Sequence, residues 1–189
     1  MMTGSAYWRK PIKWNLQGSS LVFCGSLCDV FDPHPEVEAR RKYLWETIRK
    51  TPNLTWQLLT KRPERISSVL PEDWGYGWPN VWLGVTVEFL RISDRIEILK
   101  SIPARKRFVS YEPALGSPDG LDLKGIDWII YGGETGPGFR PDSDEWARDL
   151  LAIARRDGVA FFYKQSSGPT PETAIHLLDG EEIREFPGS

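Results

Sequence analysis

Six short apolar runs recur along the chain, at residues 21–28, 55–60, 81–87, 107–112, 127–133 and 160–164. Each is rich in β-branched or aromatic residues, the composition that pleated surfaces prefer, so each predicts a β-strand. Between them apolar positions fall at helical spacing. Val37, Leu44, Trp45 and Ile48 follow a period near 3.6 within 35–50; Leu90, Ile92, Ile96, Ile98 and Leu99 mark 89–101. Trp146, Leu150, Leu151 and Ala154 mark 143–157, which Gly158 closes as a C-cap. A shorter helix is predicted over 62–70, with Pro63 in its first turn. Residues 112–127 hold Gly116, Pro118, Gly120 and Gly125 and are predicted to be loop.

Strand alternating with helix at this spacing predicts parallel strands joined by crossovers. Strand phase then separates two architectures. In 81–88 one face carries Val81, Leu83, Val85 and Val87, and the other Trp82, Gly84, Thr86 and Glu88. The same turn from apolar to polar runs through Phe108, Ser110 and Glu112, and through Trp128, Ile130, Gly132 and Glu134. A doubly wound sheet is covered on both faces and should be apolar on both. One face that becomes polar towards each carboxyl end suits a barrel lumen opening into a pocket. The expected fold is therefore α/β: a partial (β/α) barrel, TIM-like, of about six parallel strands over residues 1–165. Residues 166–189 are expected to be a linker and a small C-terminal hairpin turning at Asp179-Gly180, packed on the same domain.

Composition narrows the function classes. With 40% apolar and 26% charged residues in 189, the chain can bury one sizeable core and is not a disordered polymer. A formal net charge of −2 excludes a general electrostatic grip on nucleic acid, although not a local basic patch. No apolar run is long enough to span a membrane, and residues 1–10 lack the apolar region of a secretory signal. Two cysteines, Cys24 and Cys28, are too few for a disulfide framework, so a reducing, cytoplasmic location is expected. Two thiols without a third cysteine or a nearby histidine do not complete a zinc or iron–sulfur site, and buried structural cysteines are the expectation.

Candidate chemistry gathers at the predicted strand ends. Glu88, Glu112 and Glu134 share the inward phase. Parallel strands would bring them to one mouth, where they could hold a divalent cation, grip an ammonium group or act as an acid/base pair. The alternative is three glutamates paired separately with Arg or Lys. Lys61 and Arg62 follow the second strand and could bind a phosphate or carboxylate, or Arg62 could pair with Glu88 or Glu112. Gly132 and Gly133 open a glycine-rich turn that lets backbone approach a ligand, and Arg140 beyond it could reach back over the pocket. Asp29 lies past the first strand. Asp29 and Asp32 beside His34 also read as a strand end and a helix start, and no Ser–His–Asp arrangement can be assembled with His34 or His176. Lys164 closes the last strand; it could form a Schiff base, but neutralising a glutamate is the expected role.

Taken together, the stretches at 7–15 (YWRKPIKWN), 26–31 (SLCDVF), 57–65 (QLLTKRPER), 78–88 (WPNVWLGVTVE), 107–116 (RFVSYEPALG), 127–141 (DWIIYGGETGPGFRP) and 161–165 (FFYKQ) resemble a phage and bacterial family. It is the Gp-thirty-seven/Gp-sixty-eight type, a three-cysteine-motif domain of unknown function. That family is similar to radical S-adenosylmethionine (SAM) enzymes, in which three cysteines hold a [4Fe–4S] cluster and a Gly-Gly-Glu turn helps bind the methionine amino group. The resemblance implies SAM as a possible ligand. It places the family's cysteine motif before Tyr7, where this chain has none, so a family member lacking the first β/α unit, without cluster chemistry, is expected.

Three functions follow. The first is a barrel scaffold binding a small polar ligand, SAM or nucleotide-like, with Glu134 on an amino group, Lys61 and Arg62 on an anion, and Glu112 orienting them. The second is a non-catalytic phage or defence accessory protein that binds nucleic acid or a protein partner, suggested by Trp8 and Trp14 interleaved with Arg9, Lys10 and Lys13. Metal-assisted hydrolysis through the three glutamates ranks last, because no histidines accompany them.

Overall fold

The computed structural model describes residues 9–24 and 28–188. Its six strands are β1 (Ser20–Cys24), β2 (Leu54–Thr60), β3 (Val81–Thr86), β4 (Lys106–Tyr111), β5 (Trp128–Gly132) and β6 (Ala160–Gln165). Every neighbouring pair is parallel, and the order in space is the order in the chain. A doubly wound sheet reverses direction at a switch point. This one never reverses, and it curls into a half-barrel with helices interspersed.

Among the described residues four α-helices accompany it: α1 (Lys10–Leu16), α2 (Pro35–Arg49), α3 (Asp94–Lys100) and α4 (Asp144–Asp157). Both long helices start and stop on local chemistry. The His34 ring accepts from the Glu36 N–H ahead of α2, and the Ser143 hydroxyl accepts from the Glu145 N–H ahead of α4. Gly158, at φ 71°, takes the left-handed turn that ends α4.

Three segments depart from the sequence expectation. The helix expected over 62–70 is only a 3-10 turn, Pro63–Arg65. Pro71 limits its length, the Ser68 hydroxyl takes the Arg65 carbonyl, and Arg65 itself is drawn to the Phe31 carbonyl. The helix expected over 89–101 divides into a 3-10 turn (Leu90–Ile92) and α3, at a Ser93-Asp94 pair that competes poorly for helical backbone. β1 is described over Ser20–Cys24, and Cys28 of the expected strand 21–28 is not in a strand; residues 25–27 lie outside the described residues. Helix α1, with Pro11 in its first turn, falls where no helix was expected.

The alternation of strand residues holds. Val81, Leu83 and Val85 of β3 join Leu54, Leu58 and Val109 in the main core beneath α2, α3 and α4. The opposite, concave face carries a smaller cluster of Leu59, Phe108, Trp128 and Ile130, with Trp82 and Phe162 packed against it. Curvature is visible in one pair: the Phe23 ring of β1 lies 6.3 Å from the Phe108 ring of β4, three strands away. Gly84 permits that approach. A Cβ there would stand 2.3 Å from the Phe108 ring.

The tail runs antiparallel beside β6. Tyr163 N–H donates to the Ile183 carbonyl at 2.8 Å, and Glu185 N–H to the Phe161 carbonyl at 3.0 Å. Phe186 then packs on Trp128 and Phe162 of the concave face. Leu178 and Glu181 exchange two backbone hydrogen bonds around Asp179-Gly180, both at positive φ, as a tight hairpin turn requires. No helix among the described residues is long and apolar enough to cross a membrane.

Candidate functional site at the carboxyl ends of the strands

Parallel strands deliver their last residues to one rim, and this rim is charged. Lys61, just past β2, pairs with Glu88, just past β3. Arg95 of α3 holds the other Glu88 oxygen at 3.1 Å and also donates to the Thr86 carbonyl at 2.8 Å. Lys164 of β6 reaches Glu112, just past β4, at 2.6 Å, and the Gln165 amide donates to the same oxygen at 3.3 Å. Arg140 closes a two-pronged pair on Glu134 at 2.8 and 2.9 Å, and its backbone N–H adds a third bond at 2.8 Å.

Asp29 occupies the β1 end of the rim. Its carboxylate accepts from the Thr60 hydroxyl, the backbone N–H groups of Phe31 and Lys61, and the Arg62 guanidinium, at 2.7–3.1 Å. Arg62 also bonds Asp32 at 3.0 Å. Burial pushes the Asp29 carboxyl upward, but these hydrogen bonds outweigh it and leave the pKa below the ordinary aspartate value. The Arg140 side chain, helped by the Arg140 backbone N–H, holds Glu134 down at about 2. Both carboxylates are therefore ionised and fully committed at neutral pH.

Two glycines shape the rim in different ways. A Cβ on Gly132 would meet the Glu112 carboxylate carbon at 2.8 Å, so this glycine makes room for a functional side chain. A Cβ on Gly133 would stand 2.0 Å from the Ser167 backbone nitrogen, so that glycine makes room for the chain itself.

All ten residues singled out in the sequence lie at this end of the sheet or on the loops that leave it: Asp29, Lys61, Arg62, Glu88, Glu112, Gly132, Gly133, Glu134, Arg140 and Lys164. The partnerships differ from some of those expected. Arg62 pairs with Asp29 and Asp32 rather than with Glu88 or Glu112, and Arg140 folds onto Glu134. Among the described residues, no three His, Cys, Asp or Glu side chains gather closely enough to hold a metal ion, because each glutamate is drawn to its own cation. Sequence reasoning missed Thr60, Arg95 and Gln165. Thr60 and Gln165 end their strands beside residues already chosen; Arg95 is the second residue of α3, and nothing local marked it.

Cys24 is half-buried and Cys28 exposed, both as free thiols. Burial, with a smaller push from Cys28, raises the Cys24 pKa to about 12. A thiol so held stays protonated at neutral pH, and two cysteines alone do not complete the ligand set of an iron–sulfur cluster.

A model of the family described as "Protein of unknown function (DUF5131)" matches residues 1–187. No curated protein and no solved structure matches the chain.

Proposed function

The chain belongs to this family, and on that premise we propose that the rim binds a small polar ligand carrying an anionic group, of the nucleotide or SAM class. The observation that carries the reading is a layering of charge. In four ion pairs the carboxylate lies inside and the cation outside: Glu88 is 14% exposed against 50% for Lys61, Asp29 13% against 39% for Arg62. Glu112 is 24% exposed against 48% for Lys164, and Glu134 30% against 60% for Arg140. An incoming ligand meets N–H donors first. The net charge of the group is near zero, yet its outer surface is cationic and already braced.

SAM enters as a candidate through the resemblance to a phage and bacterial family that is itself similar to radical SAM enzymes, and the donor set suits its carboxylate. The same rim accommodates a nucleotide phosphate. The cysteines supply no cluster, so no step is assigned to one.

Thermal shift and calorimetry with SAM, AMP, ATP and inorganic phosphate test the reading. A ligand at a hundredfold excess over its Kd stabilises by about 2.7 kcal/mol. For a chain of this size that raises Tm by roughly 5–10 °C. Combined Lys61→Ala and Lys164→Ala substitution should weaken that binding at least tenfold. No shift with any of these ligands at low salt overturns the proposal.

A second reading has its own observation. Trp14 of α1 is 39% exposed on a short helix that also carries exposed Lys13, next to Arg9. That surface suits stacking of single-stranded bases beside neutralised phosphates. Binding of oligonucleotides that weakens with salt and is lost in Trp14→Ala supports it; no binding at low salt removes it.

A further inference from the structure

The concave face is not uniform from floor to rim. Phe108, fully buried, lies with its ring over Gly84 and closes the floor together with Ile130. One step nearer the rim, Thr86 and Ser110 are register partners on β3 and β4. They share the concave face, because Thr86 follows Gly84 and Ser110 follows Phe108 by two residues each. Both residues are almost wholly buried, at 4% and 2% exposure. Among the described residues no hydrogen bond engages either hydroxyl. Two residues further, Glu88 and Glu112 carry the rim, with Lys61 and Lys164 over them.

Neither hydroxyl is sealed from water: among the described residues the buried side-chain atoms without a partner are Gln57 Nε2 and Tyr163 Oη. Thr86 and Ser110 keep slight access to solvent and stand side by side between an apolar floor and a ring of cations, open to a hydrogen-bonding ligand. Glu112 adds an acceptor: Lys164 and Gln165 both bond its Oε1, leaving Oε2 uncommitted among the described residues. The wall thus offers two hydroxyls and one carboxylate oxygen to a ligand body that is itself rich in hydroxyls.

We infer that the concave cup above Phe108 recognises a phosphorylated sugar, with the sugar hydroxyls on Thr86, Ser110 and Glu112 and the phosphate on Lys61 and Lys164. This rests on the ligand-binding reading above and specifies its substrate class. The spacing agrees: two strand residues, from Ser110 to Glu112, rise by about 7 Å, roughly the reach of one pentose. A free sugar phosphate and the sugar phosphate portion of a nucleotide present the same groups.

Calorimetry on the full chain tests it with inorganic phosphate, ribose, ribose 5-phosphate and AMP, on wild type, Ser110→Ala and Thr86→Val. Ribose 5-phosphate is expected to bind at least tenfold more tightly than inorganic phosphate. Each substitution should cost it threefold or more while leaving phosphate affinity unchanged; circular dichroism and Tm confirm that the variants fold. AMP binding tighter than ribose 5-phosphate, with the same losses, assigns the sugar phosphate to a nucleotide; equal or weaker AMP binding assigns it to a free sugar phosphate. Equal affinities for phosphate and ribose 5-phosphate in the wild type overturn the inference and leave the rim reading standing. Ribose bound as tightly as ribose 5-phosphate, with losses in both variants, keeps the hydroxyl site and overturns the anionic rim. No binding by any of the four overturns both.

Discussion

Phe108 lies against Gly84 so closely that a single added methyl group would stand 2.3 Å from its ring. The contact joins neighbouring strands in register and sets the level of the concave floor. Gly84→Ala must push the ring towards Phe23, its neighbour at 6.3 Å, or open the β3–β4 spacing. A loss of about 2–3 kcal/mol is expected from overpacking, read as a lower urea midpoint with an unchanged slope. In a Phe108→Leu background the same substitution should cost at least about 1 kcal/mol less, because the two side chains compete for one volume.

Gly132 and Gly133 are adjacent but should respond differently to alanine. At Gly132 the obstructed atom is the Glu112 carboxylate, which can swing away, so a cost of about 1 kcal/mol is expected. The Glu112–Lys164 pair would be displaced with it. At Gly133 the obstruction is backbone at 2.0 Å, and a cost of about 3 kcal/mol or more is expected. Denaturant melts of the two variants check the contrast, and equal losses would contradict it.

Asp29 should make stability depend on pH. Its folded pKa lies below the ordinary value, so its contribution is complete above the unfolded pKa and is lost as pH falls through the folded one. Asp29→Asn is expected to cost about 2 kcal/mol at pH 7, since the hydrogen bonds lost are to a charged acceptor. The difference from wild type should shrink below about pH 4, the reference aspartate pKa, as the wild-type carboxyl takes up its proton. Melts from pH 3 to 8 read this directly; a gap that widens in acid would contradict it.

The cysteines should separate by reactivity. With a pKa of about 12, Cys24 holds a negligible thiolate fraction at pH 7.5, whereas Cys28 is exposed. Iodoacetamide followed by peptide mass spectrometry should find Cys28 modified at least tenfold faster. Equal rates would mean that β1 opens readily at Cys24.

Much of the architecture was legible because strand phase is local. Val81, Leu83 and Val85 against Trp82, Gly84 and Thr86 needed only a period of two, and the polar drift along the second set pointed to a lumen. The ends of α4 were legible for the same reason, since Ser143 and Gly158 act within a few residues of themselves. Ion pairing was not. Whether Arg62 meets Asp29 or Glu112 depends on how far the sheet curls and how β1 lies beside β2, and neither is written in either residue's neighbourhood. Arg95 shows the same limit, because its partner lies seven residues back across a turn whose geometry emerges only in the fold. The Pro63 helix failed on competition from the side chains of Ser68 and Arg65, which no periodicity reports.

The strand order carries a consequence for how the molecule is made. Because each strand lies beside the one synthesised just before it, the sheet can grow in the direction of translation without waiting for a distant partner. The growing margin stays exposed at every stage, a ready template for other chains. It is covered last, when Ile183 and Glu185 settle along β6 and Phe186 tucks under Trp128. Residues 183–186 thus act as a stop on this margin, and their loss would leave β6 permanently unsheltered.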